Sequence, residues 1–247
     1  MIKAVLFDLD GTLLPMDQEA FTKGYFKELA KSIYPLREAE QLISSVWAGT
    51  KAMIRNDGKQ TNETVFWNTY AGIYGEEARA DEPRFAEFYG KRFGELSGLC
   101  GKDPAAGPLV HDLRAAGYTL AAATNPLFPM TAQHFRLGWA GTDRNDFSWI
   151  TSYENSSFCK PSAGYYLEVL EKIGARPEEA LMVGNDIGED MEPAAGIGMQ
   201  VFLITACMIN QEGKDISEYP QGGFDGLRRF IAENGAYPLR PDSEKAH

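Results

Sequence analysis

Two aspartates separated by one residue follow an apolar run near the start of the chain. Val5, Leu6 and Phe7 lead directly into Asp8, and Asp10 comes two residues later. Residues i and i+2 of a β-strand point the same way, so both carboxylates are expected to project together where a buried strand ends. An ordinary turn is one explanation, since Asp-Gly is a frequent turn pair. The alternative is catalysis, with one carboxylate as nucleophile and the other as acid and base.

Further polar residues follow other strand-like runs downstream. Thr124 ends the apolar run 118–124, Lys160 precedes Pro161, and the acidic segment 185–190 follows the apolar run 180–184. In open α/β sheets, ligands bind beyond the carboxyl ends of the strands. The spacing therefore predicts that these distant segments converge on one site.

The order of these motifs resembles that of the haloacid dehalogenase superfamily, whose members are mostly magnesium-dependent phosphatases. The resemblance implies that Asp8 is the nucleophile and Asp10 the general acid and base. It further implies that the substrate phosphate is held by Thr12, Thr124, Asn125 and Lys160. The Mg²⁺ ligands that it implies come from the set Asp8, Asp10, Asn185, Asp186 and Asp190.

One position departs from the commonest family pattern. The residue directly after the strand-ending Gly184 is usually Asp, but here it is Asn185, and Asp186 follows. Either Asn185 keeps the ligand position or Asp186 is the direct ligand, with Asp190 supporting it through water. The sequence analysis favours Asp186.

Electrostatics require a cation at such a site. Two unit charges of the same sign ~4 Å apart repel by about 4 kcal/mol at an effective dielectric near 20. Several carboxylates would therefore repel a phosphate dianion unless Lys160 and a divalent ion offset them. Oxygen ligands favour Mg²⁺.

The hydrophobic periodicity predicts an α/β fold in which a Rossmann-like parallel sheet core carries an inserted α-helical bundle, and the resemblance implies that this bundle is a cap domain. Helical spacing begins after Pro15, with Asp17 as the N-cap, and four aromatic-rich apolar stripes follow. We assign residues 1–15 and 96–247 to the core and residues 16–95 to the cap. Strands are predicted at 118–124, 147–151, 180–184 and 200–204, and helices at 108–116, 162–173 and 187–196. The polar end, 241–247, is expected to fray.

Composition limits the class of partner. The 247 residues carry a net charge of −11, with no basic run, which argues against binding to nucleic acid or an anionic membrane. No apolar run approaches the roughly 18 residues of a membrane span. Three cysteines without metal-ligand spacing indicate reduced thiols, so we expect a cytoplasmic protein.

The expected function is hydrolysis of a small phosphorylated metabolite. A phosphomutase of the β-phosphoglucomutase type, a haloacid dehalogenase and a noncatalytic phosphate-binding module are the alternatives. Dehalogenases of this superfamily lack the second aspartate, and a binding module needs no nucleophile. The loop 55–61 is either an ordinary surface turn or a specificity loop in which Arg55 and Lys59 contact the substrate. The oligomeric state is not determined by the sequence.

Overall fold

Six parallel strands form one sheet in the computed structural model, which describes residues 1–239. The strands are β1 (Ala4–Phe7), β2 (Thr119–Ala122), β3 (Trp149–Ile150), β4 (Ala180–Gly184), β5 (Gln200–Ile204) and β6 (Gln221–Gly222). Their order across the sheet is β3-β2-β1-β4-β5-β6. The first strand of the chain is therefore central, with Phe7 in register with Ala122 on one side and Val183 on the other.

Helices cover both faces of the sheet, as parallel sheets require. They are α5 (Ala106–Ala116), α6 (Met130–Trp139), α7 (Ala163–Ile173), α8 (Glu192–Gly196) and α9 (Phe224–Asn234), numbered after the four inserted helices below. Val5 and Phe7 pack toward the apolar cluster that contains α5 and α9, whereas Leu6 packs toward the cluster that contains α7 and α8. Alternate side chains of β1 thus enter two separate cores. Burial on both faces fixes the direction in which the end of this strand points.

Four helices are inserted between β1 and β2: α1 (Gln18–Ile33), α2 (Ala39–Ile54), α3 (Asn62–Tyr74) and α4 (Glu82–Lys91). Helix α1 begins as predicted, because the Asp17 carboxylate accepts the Ala20 N–H at 3.0 Å. Its buried residues are the predicted stripe Phe21, Tyr25, Phe26, Leu29 and Ile33. The insertion has an aromatic core of its own, which also contacts residues near α6.

The chain enters and leaves this insertion at adjacent positions. Met16 and Cys100 form an antiparallel bridge, and the Gly101 N–H donates to the Pro15 carbonyl at 2.6 Å. Short 3₁₀ turns at Glu76–Asp81 and Phe93–Leu99 complete the segment between them.

The predicted fold class is confirmed, and β4 and β5 have the predicted bounds. The region 187–196 is a π-helical turn, Ile187–Met191, followed by α8, rather than one continuous helix. Helices α6 and α9 and strand β6 were not predicted. The segment 241–247, expected to fray, lies outside the described residues. Across residues 1–239, every helix is too short or too polar to cross a lipid bilayer.

Candidate active site

Asp8 continues directly from the central strand. Its N–H still donates to the Val183 carbonyl at 2.8 Å, so its backbone is held as firmly as that of β1. The next residues turn sharply at Gly11, where φ is +89°. A Cβ at Gly11 would lie 2.4 Å from Asn185 Nδ2. Both the positive φ and the lack of space for a side chain therefore restrict this position to glycine.

Lys160 joins two buried carboxylates behind the site. Its Nζ donates to Asp8 Oδ1 and to Asp190 Oδ1, both at 2.7 Å, and the lysine side chain is 1% exposed. Burial alone would lower the pKa of Lys160, but Asp190 and Asp8 outweigh it and raise that pKa well above its usual range. The ammonium is therefore charged, and it holds the carboxylate of Asp8 in a fixed position.

Asp190 organises the loop that follows β4. Its Oδ2 accepts the N–H groups of Asn185 and Asp186, each at 3.1 Å. Burial raises the pKa of Asp190 to about 7, despite the opposing effect of Lys160. A Cβ at Gly184 would lie 2.3 Å from Asp190 Oδ2, so the strand must end in glycine for this carboxylate to fit.

Thr12 links Asp8 to the loop after β4. Its hydroxyl lies 3.1 Å from Asp8 Oδ2 and 3.1 Å from Asn185 Oδ1. Asp186 also lines the cavity, but its Oδ1 accepts the N–H groups of Gly188 and Glu189. The amide oxygen of Asn185 is thus connected to Asp8 through Thr12, whereas Asp186 Oδ1 caps the turn that follows it.

Thr124 and Asn125 lie beyond the end of β2, next to the same site. The Thr124 carbonyl accepts hydrogen bonds from Thr151 Oγ1 at 2.6 Å and from the Tyr165 hydroxyl at 2.8 Å. Asn125 Nδ2 donates to Glu189 Oε2 at 3.3 Å. These bonds fix the backbone of the segment that the sequence analysis assigned to phosphate binding.

Arg136 contacts a predicted site residue, and the sequence did not indicate it. It lies on α6, is fully buried, and donates to Asp10 Oδ2 and Gln133 Oε1. Its guanidinium carbon is 4.7 Å from the centre of the Phe128 ring. Desolvation raises the pKa of Asp10 despite the opposing charge of Arg136. The hydrophobic periodicity did not predict a helix around Arg136, because two of the four buried residues of α6 are polar.

A cavity of about 350 Å³ opens above these residues. Its floor contains Asp8, Asp10, Thr124, Asn125, Asn185 and Glu189. Lys160 and Arg136 are not part of the lining, because they lie behind the carboxylates that they contact. The structure therefore brings predicted residues from three strand ends, those of β1, β2 and β4, to a single cavity.

Of the two alternatives for the loop 55–61, the structure supports the ordinary surface turn over contact of Arg55 and Lys59 with a substrate. Both side chains are exposed, and neither lines the cavity. Lys59 instead pairs with Asp57 at 2.5 Å, and Asn56 ties the loop to the Gln60 carbonyl at 2.8 Å. The insertion contributes to the cavity mainly through apolar and aromatic side chains.

Sequence comparison supplies the family. A model of the haloacid dehalogenase-like hydrolases matches residues 2–198, which include every predicted site residue. The chain belongs to this hydrolase family. The predicted resemblance is confirmed.

Individual relatives of this haloacid dehalogenase-like hydrolase are distant. A glyceraldehyde 3-phosphate phosphatase of Methanothermobacter thermautotrophicus is 24% identical over 219 residues, covering 86% of this chain and 89% of that protein. A phosphoglycolate phosphatase of Nitrosospira multiformis is 27% identical, covering 88% of each. A solved 2-haloacid dehalogenase from Pseudomonas syringae pv. tomato has a TM-score of 0.57 at 21% identity, covering 94% of this chain and 99% of its own. That structural likeness concerns the fold alone.

The cavity floor of this hydrolase offers oxygen donors that fit a divalent cation. Within residues 1–239, no three acidic, histidine or cysteine side chains meet as a self-sufficient metal cluster. Asp10 Oδ1, however, is buried without a hydrogen-bond partner in the described chain, and Asn185 Oδ1 accepts a hydrogen bond from Thr12, which also bonds to Asp8. Carboxylate and amide oxygens, completed by water, are the ligands that Mg²⁺ prefers.

Proposed function

We propose that this hydrolase is a Mg²⁺-dependent phosphatase that cleaves a small phosphomonoester through an aspartyl-phosphate on Asp8. The observation that carries the proposal is the placement of Asp8 at the cavity floor, between Lys160 and Thr12 and beside Asp10. The phosphatase names of both curated relatives support the same reaction class. Their low identity leaves the substrate open.

The first half-reaction transfers the phosphoryl group. A carboxylate oxygen of Asp8 forms a bond to phosphorus while the bond from phosphorus to the leaving oxygen breaks. Asp10 gives its proton to that oxygen, and its raised pKa suits it to begin as the acid. Lys160 holds Asp8 in position throughout, since the lysine is fixed by Asp190 on its other side.

The second half-reaction restores the enzyme. Asp10, now ionised, takes a proton from water, and the water oxygen bonds to phosphorus as the bond to Asp8 breaks. Asp8, Asp10 and Asn185 would hold Mg²⁺, with Asp186 and Asp190 close by, and the ion would offset charge on the phosphoryl oxygens. Thr12, Thr124, Asn125 and Lys160 complete the proposed phosphate-binding set.

The division of labour between chain segments forms part of the proposal. Residues 1–15 and 96–247 would carry the chemistry, and the helical segment 16–95 would act as a cap over it. Hydrolysis is favoured over a mutase reaction, in which the enzyme would return the phosphoryl group to the bound molecule through a bisphosphate intermediate. Within residues 1–239, the cavity lining contains no lysine, arginine or histidine that could hold a second phosphate.

A trapping experiment tests the mechanism. The purified protein is mixed with p-nitrophenyl phosphate and Mg²⁺, quenched in acid and reduced with borohydride, which converts an aspartyl-phosphate to homoserine. Peptide mass spectrometry should find homoserine at position 8. Asp8→Asn should abolish both the mark and turnover, whereas the exposed control Asp143→Asn should keep both. Full turnover by Asp8→Asn, or in excess chelator, contradicts the proposal.

A further inference from the structure

The cavity has two chemically different ends. All of its acidic lining residues, Asp8, Asp10, Asp186, Glu189 and Asp190, come from the strand-end loops of the core. The residues that α1–α4 contribute carry no formal charge of either sign. The part of a substrate that extends away from the phosphate therefore meets a neutral wall.

This neutral wall is mostly aromatic. Tyr25, Phe26, Trp47, Phe66, Trp67 and Phe85 all line it. The rings support one another: Phe26 lies 5.3 Å from Trp47, and Trp67 packs edge-on against Phe85 at 5.3 Å. Rings packed in this way offer fixed apolar surfaces that stack well on other rings.

Several hydroxyls in the wall are already engaged. Thr50 Oγ1 donates to the Val46 carbonyl at 2.9 Å, and the Tyr25 and Tyr89 hydroxyls bond to each other at 2.8 Å. A leaving group rich in hydroxyls would lose its bonds to water here, and the wall's remaining polar groups include Gln18, Thr22 and Trp67 Nε1, which is buried without a partner within residues 1–239. The wall consequently selects against strongly polar leaving groups.

The volume of the cavity limits the size of the substrate. The cavity measures about 350 Å³, whereas an apolar cavity of about 150 Å³ is enough to bind benzene. There is room for a phosphate and for a leaving group of one or two rings. The small carboxylate of phosphoglycolate, named for one relative, would leave most of the aromatic wall uncovered and would meet no cation.

We propose that the substrate is a phosphomonoester of an uncharged, aromatic alcohol, with the ring held against the wall formed by the inserted helices. This inference rests on the proposed phosphatase function and adds the substrate class to it. A second anionic group on the substrate is disfavoured, because the carboxylates at the floor repel it and the wall offers no positive side chain.

The test compares primary alkyl phosphates, whose leaving groups have similar intrinsic reactivity. The substrates are benzyl phosphate, 4-carboxybenzyl phosphate, its neutral amide 4-carbamoylbenzyl phosphate, and 2-phosphoglycolate. We expect kcat/KM for benzyl phosphate to exceed that for phosphoglycolate by roughly 100-fold, the effect of about two favourable ring contacts. The carboxylate should lower kcat/KM by roughly tenfold more than the equally large amide does.

Two variants of the neutral wall test whether its residues contact the substrate. Trp47 is 43% exposed, so Trp47→Ala should fold, and it should raise KM for benzyl phosphate by roughly tenfold. Ile54 also lines the cavity and is 44% exposed, so an arginine there can reach both water and substrate. Ile54→Arg should selectively improve 4-carboxybenzyl phosphate. The matched control is Ile73→Arg, at an exposed position outside the cavity, which should leave the ranking unchanged.

Different results would overturn the proposed substrate class and the proposed phosphatase function. If p-nitrophenyl phosphate is hydrolysed but phosphoglycolate equals or exceeds benzyl phosphate, the aromatic substrate class is wrong and the phosphatase survives. An unchanged ranking in both Trp47→Ala and Ile54→Arg likewise overturns the wall assignment. If no phosphate ester is hydrolysed with Mg²⁺, the phosphatase function itself is wrong.

Discussion

The buried guanidinium of Arg136 contacts the carboxylate of Asp10, which joins helix α6 to the turn that follows the central strand. The Asp10 side chain is 24% exposed and that of Arg136 is 1% exposed, so the cation is the more deeply buried member of the pair. The arginine thereby fixes the orientation of the proposed acid and base. Asp10 Oδ1 is buried and has no hydrogen-bond partner within residues 1–239.

Arg136→Met should lower the free energy of unfolding by about 3 kcal/mol, since removing one member of a buried ion pair leaves the other charge poorly compensated. Urea denaturation measures the change. The double variant Arg136→Met, Asp10→Asn should recover part of the loss in a double-mutant cycle. Arg176→Met, which removes an exposed pair, is the control and should change stability by less than about 1 kcal/mol. Additive losses would show that the pair is not coupled.

Asp10→Asn should lower turnover by roughly 10²-fold or more on an alkyl phosphate, the usual scale of general acid–base catalysis. The loss should be smaller on p-nitrophenyl phosphate, because its leaving group scarcely needs protonation. Steady-state kinetics on both esters provide the comparison. Equal losses on the two substrates would assign Asp10 a role other than proton transfer.

Asn185→Ala should raise the Mg²⁺ concentration required for half-maximal activity more than Asp186→Ala does. Asn185 Oδ1 is connected to Asp8 through the Thr12 hydroxyl, whereas Asp186 Oδ1 caps the turn that follows it. Asp186→Ala should instead reduce thermal stability by the loss of a cap, about 1 kcal/mol. A metal titration with the opposite ranking would return the direct ligand position to Asp186, as the sequence favoured.

Gly184→Ala should reduce both stability and turnover, because its Cβ would displace Asp190 and with it the support of Lys160. Overpacking of this kind costs roughly 1–3 kcal/mol. Gly196→Ala is the matched control, since a Cβ there meets nothing within 4 Å. Thermal unfolding and kcat are measured for both. Normal kcat in Gly184→Ala would mean that the position of Asp190 does not matter for catalysis.

Cys159 should resist alkylation at pH 8 in the folded protein. Burial raises its pKa to about 12, so almost no reactive thiolate is present, and the thiol is 1% exposed. Cys207 is partly exposed and should react first. Mass spectrometry after iodoacetamide treatment gives the order of labelling. Rapid labelling of Cys159 before unfolding would contradict the buried position.

The strand ends were predictable because they depend on local pattern. An apolar run followed by a polar residue marks where a buried parallel strand leaves the sheet, and Asp8, Thr124 and Asn185 all lie at such points. The topology then brings them together without further information. Their register against one another follows from the pairing of β1 with β2 and β4.

The remaining site features depend on contacts between segments far apart in sequence. Arg136 lies 126 residues from Asp10, and a helix that buries Gln133 and Arg136 has no clear apolar stripe to reveal it. Trp47 and Ile54 follow a core-like stripe, yet both remain partly exposed because the cavity lies beside them. Periodicity identifies the face of a helix that is covered, but it cannot distinguish a neighbouring helix from a ligand.

Met16 and Cys100 pair where the chain enters and leaves the insertion, so the inserted helices could be replaced as one unit. Both ends of the segment leave the sheet side by side, with Gly101 bonded to the Pro15 carbonyl. A different set of helices could be joined at the same two points without moving β1 or β2. The proposed substrate selectivity could thus be changed, in evolution or in a designed chimera, while the proposed reacting groups stay where they are.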